Sequence, residues 1–118
     1  MDIAAGICAE RHSRGDVVTV AVDELVFAQP IRMADVVIIK ARVNYTGHTS
    51  MEIGVRVERE RTQTGQREHC LSGYFTFVGV DKAGQTREVP PVLPETDEDK
   101  RRFECGRQRR EQRIGRRD

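Results

Sequence analysis

The chain opens on an apolar run, Ile3-Ala4-Ala5-Gly6-Ile7-Cys8-Ala9, with charge returning only at Glu10 and Arg11. Ala and Ile at this density predict a helix, although Gly6 costs roughly 1 kcal/mol there relative to Ala. A helix apolar on all sides is expected to be buried on all sides. It is too short to span a bilayer, which needs about 20 apolar residues. It is also too short to persist alone in water, where helices below ~12–15 residues are marginal. Its stability must come from the segments that follow, and those read as strands.

His12-Ser13-Arg14-Gly15-Asp16 is a polar turn, with Gly15 placed to stop the helix. From Val17 to Phe27 the period-2 rule puts Val18, Val20, Val22 and Val26 on one face and Thr19, Asp23, Leu25 and Phe27 on the other. Pro30 ends that strand, because it lacks the amide proton a ladder needs. Val36 to Thr46 alternates Val37, Ile39, Ala41, Val43 and Tyr45 against Lys40, Arg42 and Asn44. After the tight connection Thr46-Gly47-His48, Met51 to Glu60 turns Met51, Ile53, Val55 and Val57 inward and Glu52, Arg56, Glu58 and Glu60 to water. Thr62 to Gln66 is a hairpin loop containing Gly. His69 to Asp81 carries Leu71, Phe75 and Phe77 on one side and Tyr74, Val78 and Val80 on the other, so this strand should be central in its sheet.

Glu95 to Asp118 differs in kind. Its acidic first turn (Glu95, Asp97, Glu98, Asp99) and basic remainder suit a helix macrodipole. Asp97 with Arg101 and Glu98 with Arg102 are i,i+4 pairs of the favourable orientation. Phe103 and Ile114 are its large apolar anchors, so the expectation is a solvated helix that frays at Gly115. The organisation is therefore a domain over 1–94 and a charged C-terminal helix over 95–118. One helix followed by long antiparallel strands is an α+β pattern, a sheet curled around the N-terminal helix. Four strands leave bare edges, which another strand or a second subunit should cover.

Composition narrows the function classes. The net charge of +1 over 118 residues points to no particular partner. The three cysteines have no metal-type spacing and suggest a reducing compartment. No basic segment precedes the apolar start, so a secretory leader is not expected and the chain reads as cytoplasmic. Aromatics at 5% without Trp weaken a stacking-based nucleic-acid role, and acidic residues nearly balance the basic ones of the tail. No Gly-rich phosphate loop is present.

Several segments, taken in order, resemble the hotdog-fold acyl-CoA thioesterases of the cytosolic acyl-CoA hydrolase clade. They are Met1-Asp2-Ile3-Ala4-Ala5, Val17-Val18-Thr19-Val20, Asp23-Glu24-Leu25-Val26-Phe27 with Gln29-Pro30-Ile31, Gly47-His48-Thr49-Ser50-Met51, Gly73-Tyr74-Phe75-Thr76-Phe77-Val78, and Pro90-Pro91. The resemblance implies hydrolysis of fatty acyl-CoA to free fatty acid and coenzyme A, with no metal and no cofactor beyond the coenzyme A of the substrate. It implies a homodimer through sheet edges, alone or built into a tetramer or hexamer, with active sites at the subunit junction. Nucleic acid and membrane are not implied as partners. Family members begin with a strand and an Asn-containing, Gly-rich loop, whereas this chain starts at the helix: either the protein begins upstream and Met1 is internal, or it lacks that part. The alternative reading is thus a catalytically silent acyl-CoA-binding protein with a truncated site.

Asp2 is the carboxylate the resemblance makes catalytic, as general base or nucleophile. The free amides of the same helix end can serve a developing oxyanion. Read from physics alone, Asp2 is equally a favourable charge on a helix dipole. Thr19, Thr49 and Ser50 are candidates for contact with the pantetheine of coenzyme A. Ordinary strand preference for Thr19 and turn chemistry for the other two are the competing readings. His48, His69 and Cys70 read as structural. Lys40, Arg42 and Arg56 can meet the 3′-phosphate of coenzyme A, but a solvated surface explains them as well.

Overall fold

The computed structural model describes residues 2–117, apart from the side chains of residues 24 and 114–117. Helix α1 (Asp2–Ser13) is followed by strands β1 (Val17–Phe27), β2 (Val36–Thr46), β3 (Ser50–Glu60) and β4 (Arg67–Gly79), and then by helix α2 (Asp97–Arg117). The strands form one antiparallel sheet in the order β1-β4-β3-β2. β4 is internal, as its two apolar faces require. The architecture is the α+β arrangement expected from the sequence, one antiparallel sheet packed on the N-terminal helix.

The core lies between α1 and the two central strands. Met51, Ile53, Val55 and Val57 on β3 are buried with Leu71, Phe75 and Phe77 on β4. Register explains the packing: Met51 faces Phe77, Ile53 faces Phe75 and Val57 faces Leu71, so one apolar layer runs across both strands. Helix α1 meets this layer through Ala5 and Ala9, each fully buried, with Ser13 next on the same stripe. These small residues let the helix backbone approach the aromatic side chains.

The expectation that α1 is buried all round is corrected here. Ile3 is 79% exposed and Ile7 52% exposed, because four strands cover only one side of the helix. The helix also ends differently. Arg14, not Gly15, takes the left-handed conformation (φ 59°) after the last turn, and its N–H donates to the Glu10 carbonyl at 2.7 Å. Gly15 instead makes room for Arg87: a Cβ there would lie 2.6 Å from Arg87 Nη2. Arg87 closes the helix C-terminus by donating to Ser13 O (3.3 Å), Ser13 Oγ (3.0 Å), Asp16 O (3.0 Å) and Val80 O (3.1 Å). A cation at that end also complements the helix dipole.

Strand β1 departs from simple alternation. Its pairing with β4 slips between Thr19 and Ala21 and again between Asp23 and Val26. Each bulge inserts a residue and flips the faces beyond it. Val18 therefore faces Val78 on the outer side of the sheet, while Val22 faces Phe75 on the α1 side. The four valines expected on one face do not share one, and all four are about half exposed.

Helix α2 lies on the outer face of the sheet, mostly solvated as expected but seated there on one side. Phe103 packs edge-on against Tyr45 with ring centroids 4.9 Å apart. Gly106 is buried, and a Cβ there would lie 2.5 Å from Glu52 Oε2 and 2.7 Å from Tyr45 Cβ. Glu52, expected to face water, is 8% exposed beneath the helix. Its carboxylate accepts two hydrogen bonds from Arg109, at 2.5 and 2.9 Å. Alternation correctly put Glu52 on the outer face; the helix then covered that face. Arg113 adds a bond to Thr76 Oγ1 at 2.7 Å. The Thr96 hydroxyl accepts the Asp99 N–H at 3.0 Å, and Asp99 accepts the Thr96 N–H at 3.4 Å, which caps the helix start. Arg101 pairs with Glu98 rather than with Asp97, and Arg102 reaches Glu98 at 3.3 Å and Asp99 at 3.6 Å. The Ile114 side chain and the expected fraying at Gly115 lie outside the described residues. No helix of the described residues is long and apolar enough to cross a membrane.

Candidate active site

Asp2 stands at the first turn of α1, exposed, where the backbone amides have no intrahelical partner. Thr19 comes from β1 on the α1 side of the sheet, opposite Phe77. Its hydroxyl donates to Asp2 Oδ1 at 3.4 Å. A carboxylate, a hydroxyl beside it and open amides thus converge at one helix end. The first β1 bulge follows Thr19 directly, so the strand keeps Thr19 on the helix side before its alternation slips.

Thr49 and Ser50 lie elsewhere. They belong to the β2–β3 connection, where the Thr49 carbonyl accepts the Gly79 N–H at 3.0 Å and the Ser50 carbonyl accepts the Gly47 N–H at 2.9 Å. No hydrogen bond joins them to Asp2 among the described residues. His48 pairs with Glu88 at 2.7 Å, and His69 Nε2 lies 2.5 Å from Ser72 Oγ. Neither histidine reaches the Asp2 end of the sheet in these contacts. Among the described residues no group of three or more His, Cys, Asp and Glu side chains is placed to hold a metal.

A hollow of about 370 Å³ lies along α1, lined by Ala4, Ile7, Cys8, Arg11, Ile39 and Ala41. Burial pushes the Cys8 thiol above its ordinary pKa, which disfavours the thiolate a nucleophile needs. Ile7 of α1 and Ile39 of β2, which line this hollow, are exposed, as is Ile3 one turn earlier on the helix. A contiguous apolar surface of this kind marks an interface or a binding groove. Both edge strands, β1 and β2, are also unpaired on one side.

Comparison with known proteins adds to this geometry. Residues 1–66 match the thioesterase superfamily. The chain belongs to that superfamily. A human thioesterase, cytosolic acyl coenzyme A thioester hydrolase, is 38% identical over 111 residues, which cover 92% of this chain and 29% of the human one. The chain thus spans less than a third of that relative's length. Among solved thioesterase structures, an acyl-CoA hydrolase from Bacillus cereus superposes with a TM-score of 0.93 at 38% identity, covering 99% of this chain and 71% of that one. An acyl-CoA hydrolase from Staphylococcus aureus, solved with butyryl coenzyme A, gives a TM-score of 0.89 at 34% identity, covering 98% and 71%.

The ion pairs under α2 of this thioesterase-superfamily chain leave little trace in its sequence. Gly106 inside a charged helix was the available signal, since a helix interior keeps Gly chiefly for close approach. Arg87 left no signal, because its partner Ser13 is 74 residues away.

Proposed function

We propose that this thioesterase-superfamily chain hydrolyses fatty acyl-CoA to free fatty acid and coenzyme A, with Asp2 as general base or nucleophile. The observation that carries the reading is the Thr19-to-Asp2 hydrogen bond at the open start of α1. The S. aureus relative has been studied with an aspartate and a threonine each replaced by alanine. Those two residues are as far apart in its chain as Asp2 and Thr19 are here, 17 positions.

In this reading the Asp2 carboxylate takes a proton from water as the water oxygen adds to the thioester carbonyl carbon. The alternative is direct attack by the carboxylate, with an anhydride then opened by water. The first-turn amides of α1 receive the oxyanion. The carbon–sulfur bond then breaks, and the coenzyme A thiolate leaves and is protonated. Thr19 orients the carboxylate, leaving one carboxylate oxygen for the reaction. No metal or further cofactor enters any step.

The exposed apolar side of α1 and the two open sheet edges favour a site closed by a second copy of the chain. Two solved relatives are described as hexameric, which is in keeping with such an assembly. Thr49 and Ser50, half-buried at their hairpin, are then contacts for pantetheine, and the setting is cytoplasmic.

The test is release of coenzyme A thiol from acyl-CoA substrates of graded chain length. Asp2→Asn is expected to lower kcat by about 10²–10⁴-fold while substrate still binds. Thr19→Ala should have a smaller effect. Turnover unchanged by Asp2→Asn would remove Asp2 from the chemistry, and binding without turnover in the unaltered chain would leave a silent acyl-CoA-binding protein.

A further inference from the structure

A second cavity, of about 560 Å³, opens on the face of the sheet opposite α1, between β2, β3, β4 and α2. Six cationic side chains line it: Lys40, Arg42, Arg56, Arg101, Arg102 and Arg109. A single carboxylate, Glu98, is among its lining residues. The nearby acids are already shared. Asp99 serves Arg42 at 3.4 Å and Arg102 at 3.6 Å, and Glu52 is engaged by Arg109. Glu58 holds Lys40 at 2.7 Å and lies 4.0 Å from Arg56 Nε, the one ion-pair contact of Arg56 among the described residues. Arg56 is 54% exposed, so its fork is open to a ligand.

Asn44 of β2 and Gly54 of β3 adjoin one another in the cavity wall. Gly54 on β3 carries no side chain there, and a Cβ would lie 2.5 Å from Asn44 Nδ2. That absence lets the Asn44 amide lean across the strand and leaves the depression open. A concave surface with excess positive charge and a neutral amide matches the chemistry of phosphate recognition. Its volume falls within the roughly 300–1,000 Å³ of small-molecule sites and well exceeds what one phosphate ion would fill.

We infer that this outer cavity binds a phosphate-bearing small molecule through Arg56, Arg101 and the two cations of β2, Lys40 and Arg42. Two sources share that chemistry: the nucleotide end of coenzyme A passing around the β2 edge, and a free phosphorylated metabolite. The site lies across the sheet from Asp2, and its occupancy does not depend on hydrolysis.

The test is calorimetric titration of the full chain with pyrophosphate and with adenosine 3′,5′-bisphosphate, at low and high salt. Saturable binding that weakens with salt and at least tenfold in Arg56→Gln/Arg101→Gln is expected. Both side chains are largely exposed, and thermal melting of the variant checks that it folds. Arg107→Gln, on a side of α2 that does not line the cavity, is the control and should bind as the parent does. Preference for the bisphosphate, with KM for acyl-CoA raised and kcat unchanged in the double variant, assigns the cavity to coenzyme A. Equal binding of pyrophosphate with KM unchanged assigns it to a free metabolite. Absence of binding by either probe, or binding that the double variant leaves intact, overturns the inference. Titration of Asp2→Asn keeps the result separate from the fate of the hydrolytic reading.

Discussion

The two faces of the sheet carry one helix each and hold them by different physics. On the inner face α1 rests on Met51, Ile53, Phe75 and Phe77 through alanines, and the attachment is burial of apolar surface. On the outer face α2 is held by Glu52 with Arg109, Arg113 with Thr76, Arg42 with Asp99, and one aromatic pair. Apolar contacts are non-directional, do not titrate, and are not weakened by the screening that salt imposes on charges. Charged contacts orient the helix, yet each must offset desolvation of its partners. The inner face therefore determines whether the domain folds, and the outer face determines how firmly α2 is seated.

Three substitutions or conditions separate the faces. Ile53→Ala empties a fully buried position in the inner layer. It should cost about 2–5 kcal/mol in denaturant unfolding and lower the protection of every element together. Glu52→Ala leaves Arg109 beneath α2 without its carboxylate. The expected cost is smaller, about 1–3 kcal/mol, and local: amide exchange should quicken along α2 while β3 and β4 keep their protection. Equal loss of protection on both faces would show that α2 is part of the same cooperative unit. The mildest effect is that of acid. The Thr96 N–H holds the Asp99 carboxyl below its ordinary pKa. A lowered carboxyl stabilises the folded form above the unfolded value of about 4, and that contribution is lost as pH falls through the lowered folded value. Fraying of the first turn of α2 should therefore begin below about pH 4, with the inner layer unchanged, and Thr96→Ala should produce it at neutral pH.

The same division decides what could be read from the residues alone. β3 and β4 are regular along most of their length and bury their apolar side, so period-2 alternation identified the inward residues correctly from Met51 to Val57 and from Leu71 to Phe77. β1 follows no such rule, because its two slips are set by pairing with β4 and leave no mark in a row of valines. The exposure of Ile3 and Ile7 was equally hidden: hydropathy states that a side chain avoids water, not which molecule covers it. Asp2 and Thr19 were singled out separately, by resemblance, and the fold brings them into contact. Glu52 was placed on the right face and given the wrong surroundings, since its arginine lies 57 residues further along.

The Arg87 clasp has a bearing on synthesis. Helix α1 is finished by a side chain that leaves the ribosome 74 residues after the serine it grips. Until that arginine clears the exit tunnel, α1 lacks its terminal clasp. Stalling of synthesis just before Arg87 should prolong that unclasped interval.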